Sequence, residues 1–295
     1  MAISDFDEAV LRPKKSTNDR SISMPIPAFI HWPFRIASAI SPRLGGELGR
    51  LIFFHPARTR PSEAHMAVLD QADQIMLDLD GHKLAAFSWS EGPTVLLVHG
   101  WSGHAGQMTE FVAPLTAAGY RAVAIDLPAH GASGGGLSSL IHFGKAISAA
   151  AQHFGPLHGI ISHSLGGGGV IQAFLGGVKA NRAVLLAPPA QFHDYWGLFR
   201  SRMGMSHAVW RAMVERSERW LGVPFAEVHP EVGAPDMTTP ALILHGTSDR
   251  VCPVTEGRRL ARLWPGARLL ELDTGHVSIL RDARAIAETV EFIKG

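Results

Sequence analysis

The chain has 295 residues, 46% hydrophobic and 18% charged, which is apolar content enough for a large buried core. Its 27 Lys and Arg nearly cancel 26 Asp and Glu, for a net charge of +1, and nothing in that balance points to a nucleic-acid partner. The single cysteine, Cys252, excludes an internal disulfide framework and fits a reducing, cytoplasmic setting.

Residues 1 to about 24 are polar and irregular and read as a mobile arm, opening acidic and without a basic leader or apolar signal core. No uninterrupted apolar run is long enough to span a bilayer. In residues 25–55, Pro25, Pro27 and Pro33 interrupt apolar runs, and Leu44, Leu48, Leu51 and Ile52 then recur at helical spacing. The pattern predicts one or two amphipathic helices, and the leucine stripe must bury its face. Packing on the body of the protein is the leading expectation, because Arg35, Arg43 and Arg50 are too scattered for a dense basic face. A lid, a dimer surface or a peripheral membrane contact are the alternatives. Stable membrane insertion is not expected, and the oligomeric state stays open.

From about Leu69 a regular alternation begins. Residues 75–79 and 84–89 flank Asp80-Gly81, a hairpin signal. Val95–Val98 is a continuous apolar run, as a strand covered on both faces requires. His99-Gly100-Trp101-Ser102 follows it, then a helix over about 107–118. Another strand at 122–125 ends in Asp126-Leu127-Pro128-Ala129-His130-Gly131, and a helix over about 137–153 leads on. Strands alternating with helices imply βαβ units and a mostly parallel sheet.

The centre of the pattern is residues 157–175. The apolar run Gly159–Ile161 ends a buried strand, Ser162-His163-Ser164-Leu165-Gly166 forms a sharp turn, and residues 170–175 have helical spacing. Such a turn lifts the Ser164 hydroxyl off the sheet, beside the free N–H groups of a helix N-terminus. A further strand at 183–186 precedes an irregular stretch, about 188–237, rich in aromatic and methionine side chains. The alternation resumes with a strand at 241–244, a helix around 254–263, a strand at 268–272 and a closing helix over 280–293.

The turn resembles the Gly-x-Ser-x-Gly nucleophile elbow of the α/β-hydrolase superfamily, serine esterase and lipase branch, with Ser162 in place of the first glycine. The resemblance covers residues 70–295. It implies a mostly parallel sheet flanked by helices, with a helical cap insertion at 188–237 and an N-terminal helical extension. The division expected is 1–60 for the extension and 61–295 for the hydrolase domain. In this superfamily the serine is followed by an acid and a histidine, each on a loop after a strand. His245-Gly246-Thr247-Ser248-Asp249 matches the acid segment and Asp273-Thr274-Gly275-His276 the histidine segment. Ser164, Asp249 and His276 are therefore the expected nucleophile, acid and base. The backbone N–H groups of Leu165 and Trp101 are the expected oxyanion donors, with Ser102 next in line. His99 reads as a brace of its loop, and Asp126 and His130 as structural.

The implied reaction is hydrolysis of a small, apolar carboxylic ester or thioester. Acyl transfer, a proline-type aminopeptidase served by cap glutamates Glu215, Glu218, Glu227 and Glu231, and a non-catalytic binding protein are the alternatives. His163, Trp196 and Trp210 are the substrate-contact candidates. No cofactor is expected: Walker and Gly-x-Gly-x-x-Gly patterns are missing. No metal is expected either, since His99, His104 and His130 lack the spacing of a zinc site.

Overall fold

The computed structural model describes residues 28–295. The arm expected before residue 25 therefore lies outside the described residues. Eight strands form one sheet in the order β1-β2-β4-β3-β5-β6-β7-β8. The strands are β1 Asp73–Leu79, β2 His82–Trp89, β3 Thr94–Val98, β4 Arg121–Ile125, β5 Leu157–His163, β6 Ala180–Leu186, β7 Ala241–Gly246 and β8 Arg268–Leu272. β1 and β2 form a hairpin whose two turn residues, Asp80 and Gly81, both have positive φ, as the Asp-Gly signal requires. β2 runs antiparallel to β4, and β3 to β8 pair in parallel. Every residue of β3 and β7 is buried. These continuous apolar runs are what a parallel strand covered by helices on both faces needs.

Helices α1 Ala28–Ile40, α2 Pro42–Phe53 and α3 Glu63–Leu69 precede the sheet. The helix expected over 107–118 is instead a 3-10 turn, Ala105–Phe111, followed by the short α4, Val112–Ala117. Pro114 explains the break, for it has no N–H to donate back to residue 110 and is tolerated only in a new helix's first turn. α5 Leu140–Phe154 is capped by the Ser139 hydroxyl, and α6 Leu165–Leu175 follows the sharp turn directly. Between β6 and β7 lies the cap: α7 His193–Met203, α8 His207–Leu221 and the short α9 Pro230–Gly233. α10 Val254–Leu263 and α11 Ala283–Lys294 complete the sheet's cover.

The N-terminal hairpin packs on the body, as expected, but not mainly through its leucine stripe. α2 lies on cap helix α8, and the residues it buries are Gly45, Gly46 and Gly49. A Cβ on Gly46 would stand 2.7 Å from the Met213 backbone nitrogen, so glycine allows main chain to approach main chain. Leu44 and Leu51 are exposed, whereas Leu48 and Ile52 are half-buried. The leucine stripe is thus not the buried face, because the glycine face lets α8 come closer than any leucine could. Past α2 the chain is stapled to the loops at the carboxyl ends of β3 and β4. The Ala57 N–H donates to Ser102 Oγ at 3.0 Å and Thr59 Oγ1 to the Ser102 carbonyl at 2.8 Å. The Arg58 guanidinium reaches the Gly131 and Gly135 carbonyls at 3.0 and 2.9 Å.

Candidate active site

Ser164 sits between β5 and α6 with φ 52 and ψ −126, a conformation that a non-glycine residue holds only when its surroundings compel it. Its N–H donates to the Leu186 carbonyl of β6 at 2.8 Å. Two glycines make room for it: a Cβ on Gly166 would lie 2.6 Å from the His99 carbonyl oxygen, and one on Gly100 would lie 2.9 Å from Ser164 Cβ. Ser162, in the place usually held by glycine, is fully buried and its hydroxyl finds the Val184 carbonyl at 3.4 Å. A small polar side chain therefore fits there without leaving an unpaired group.

Loops after β7 and β8 bring the acid and the histidine to the same point. His276 Nε2 stands 3.0 Å from Ser164 Oγ, and His276 Nδ1 stands 2.7 Å from Asp249 Oδ2. The other carboxylate oxygen of Asp249 accepts from the Val251 and Cys252 amides, both at 2.8 Å. Burial acts to raise the Asp249 pKa, but the bonds from His276 and from these amides outweigh it and hold the carboxyl below its usual value. Behind it His245 Nε2 donates to the Cys252 carbonyl at 2.8 Å, closing the turn that carries the carboxylate. An anionic carboxylate fixed on Nδ1–H leaves Nε2 free to accept the Ser164 proton.

The loop after β3 is braced rather than reactive. The Leu127 N–H donates to His99 Nε2 at 3.0 Å, which places the ring proton on Nδ1, 2.6 Å from the Gly100 carbonyl. Burial holds the His99 pKa far below its usual value, so the brace stays neutral. Ser102 has φ 55 and is held from outside by Ala57 and Thr59. Leu165 is the first residue of α6, so its N–H has no intrahelical acceptor. Asp126 accepts from the Ala105 and Ala132 amides at 2.6 and 2.7 Å, and His130 Nδ1 donates to the Pro128 carbonyl at 2.8 Å. Asp126 ties two loops together, and His130 closes its own loop.

The three expected substrate contacts are all buried side chains. His163 is buried, and its Nε2–H donates to the His276 carbonyl at 2.9 Å. Burial, helped by the neighbouring His276, pushes its pKa down to about 3, so it braces the His276 loop as a neutral ring. Trp196 is buried in a stack with Phe225, ring centroids 4.6 Å apart, and beside His229 at 4.8 Å. Trp210 is wholly buried, with the Arg200 guanidinium 6.0 Å from its ring. Both tryptophans are interior packing of the cap, which needs large apolar bodies of its own to hold two helices over a sheet. The staples from Ala57, Arg58 and Thr59 carried no sequence signal, because each reaches a loop more than forty residues away.

Two of the four cap glutamates have partners. Glu218 accepts from the Phe225 N–H at 3.0 Å, Glu231 pairs with Arg259, and Glu215 and Glu227 are exposed. Among the described residues no group of three or more His, Cys, Asp or Glu could hold a metal ion, and no helix is long and apolar enough to cross a membrane.

A sequence model described as the alpha/beta hydrolase family matches residues 95–289. A search of the curated proteins finds no match. Solved structures share the fold at low identity. An esterase of Pyrococcus furiosus superposes with a TM-score of 0.63 at 19% identity, covering 82% of this chain and 97% of its own. An esterase of Exiguobacterium antarcticum gives 0.59 at 19%, covering 76% and 100%. An N-acyl homoserine lactone degrading enzyme gives 0.58 at 18%, covering 74% and 99%.

Proposed function

The chain belongs to the alpha/beta hydrolase family, and from that premise we propose that it is a serine hydrolase cleaving a small carboxylic ester or thioester through an acyl-enzyme. The observation that carries this reading is the continuous relay from Ser164 Oγ through His276 to Asp249, at 3.0 and 2.7 Å. Solved neighbours described as esterases support the substrate class.

On this reading His276 Nε2 takes the Ser164 proton as Oγ attacks the carbonyl carbon. Asp249 stabilises the imidazolium and fixes its tautomer. The oxyanion accepts hydrogen bonds from the Leu165 and Trp101 amides, positioned by α6 and by the His99-braced loop. The imidazolium then protonates the leaving alkoxide or thiolate. Water, deprotonated by the same nitrogen, releases the acid and restores Ser164. An apolar acyl or alcohol group remains part of the proposal and rests on the half-buried Leu165 next to Ser164 in the chain and on the half-buried Trp101 of the loop after β3. A cytoplasmic setting belongs to the same reading, as does a division between extension and hydrolase domain near residue 60. Buried Cys252, its thiol pushed well up by burial, is a packing residue there.

A fluorophosphonate probe tests the reading. It should label the wild-type protein and leave Ser164→Ala unlabelled; equal labelling of both would remove Ser164 from the mechanism. Acyl esters and thioesters of graded chain length should then turn over while aminoacyl amides do not.

A further inference from the structure

α1 carries Phe29, Trp32, Ile36 and Ile40 at the spacing of one helix face. They are 76%, 71%, 56% and 70% exposed, while Phe34 on the opposite face is 1% exposed. With Leu44 and Leu51 on α2, they make six of the twelve exposed large apolar side chains among the described residues, all between positions 29 and 51. Single exposed apolar residues are ordinary on a protein surface; a row of them along one helix marks a face that meets something.

Charge says what it meets. α1 contains no Asp or Glu. Arg35 is exposed, with its guanidinium 5.8 Å from the Trp32 ring, and Arg43 is exposed just past the helix end. From Ala28 to Gly46 the charged residues are two arginines, Arg35 and Arg43, with no acid. A stretch of one sign in a chain whose net charge is +1 is complementary to an anionic surface. A second copy of the same face would meet it with like charges. A 13-residue helix is too short to span a bilayer but suits its boundary, where aromatic rings flanked by arginines sit between headgroup and acyl chain.

We propose that α1 is a docking helix that lies in the plane of an anionic lipid surface, with Phe29, Trp32, Ile36 and Ile40 entering the acyl boundary and Arg35 and Arg43 reaching the lipid phosphates. Because Gly46 locks α2 onto α8, a docked α1 holds the cap at the membrane surface. This inference does not depend on the hydrolase reading, since its test uses no substrate.

The test is flotation of the full chain with vesicles of phosphatidylcholine alone or containing phosphatidylglycerol. The protein should float with the anionic vesicles and bind at least tenfold more weakly to the neutral ones. High salt should weaken the anionic binding. Ile36→Glu should keep the wild-type melting temperature, as befits an exposed residue, and lose binding at least tenfold. Arg35→Glu with Arg43→Glu should weaken it by about fivefold or more per residue. Failure of the full chain to bind either vesicle overturns the proposal. So does undiminished binding in Ile36→Glu, which would move the contact to another part of the chain. A dimer in light scattering that Ile36→Glu dissociates, without vesicle binding, would assign the face to a second copy and overturn the proposal equally.

Discussion

Gly166 on α6 and Gly46 on α2 occupy helix positions where alanine is intrinsically better by about 1 kcal/mol, and both are kept glycine by main chain close at hand. At Gly166 the neighbour is the His99 carbonyl at the end of β3; at Gly46 it is the Met213 nitrogen of the cap. The first contact presses a helix N-terminus against the sheet, where on the proposed reading a fixed dipole beside Ser164 has chemical use. The second presses an extension against the cap and leaves the far side of α1 facing outward. Close packing alone therefore says little about role. What differs is the chemistry at the junction, with hydroxyl, imidazole and carboxylate at one end and exposed rings and arginines at the other.

The comparison is sharpened most by variants at the sheet end. Ser164→Ala or His276→Ala should each lower kcat by roughly 10⁴ to 10⁶, and the double variant should be little worse, because the groups act as a unit. Asp249→Asn should keep the fold and lose about 10⁴ through the wrong imidazole tautomer. Steady-state kinetics on one acyl ester decides this, and near-normal turnover of Ser164→Ala would leave the two ends chemically alike.

Acid should act at the same end. His104 and His130 are buried with pKa values lowered to about 4, chiefly by burial, and His163 to about 3. Between these values and about 6.5 the unfolded chain binds more protons than the folded one, so stability must fall as pH drops below about 6.5. Each of the three contributes on the order of 1 kcal/mol per pH unit in that window. Asp249 adds to the loss only at lower pH, since its folded pKa is depressed and its contribution disappears as the carboxylate protonates. Melting temperatures measured from pH 7.5 to 4.5 should decline steeply, and a flat profile would mean that these rings are solvated.

Trp210→Ala tests the cap between the two ends. A wholly buried ring lost from its packing should destabilise by about 3–5 kcal/mol in urea titration, with little change in KM for a small ester. A raised KM with unchanged stability would restore it as a substrate contact. The glycines themselves give the smallest effects. Gly166→Ala and Gly46→Ala should each cost about 1–2 kcal/mol, overpacking offset in part by better helix propensity. Only Gly166→Ala should also lower kcat, because it shifts the helix that carries the Leu165 amide. Equal kinetic losses would show that the hairpin reaches the site through the cap.

Much of this molecule is written locally, and for that reason legible in one sequence. The β3 run is apolar throughout because both faces are covered, and Asp80-Gly81 marks a two-residue turn because few other pairs tolerate two positive φ angles. The turn at Ser164 and the loop bearing Asp249 follow buried strands of the same kind, whereas the loop bearing His276 follows β8, an edge strand that is only partly buried. Tertiary structure decided the rest, because it depends on partners that no local period encodes. The proton of His163 goes to a carbonyl 113 residues away, which turns a candidate substrate contact into a brace. The cap tryptophans are aromatic in either role, and only the closure of α7 and α8 over them makes them interior. In α2 the leucines carried the visible pattern, yet the glycines are buried, because how near α8 can come depends on where a Cβ is missing.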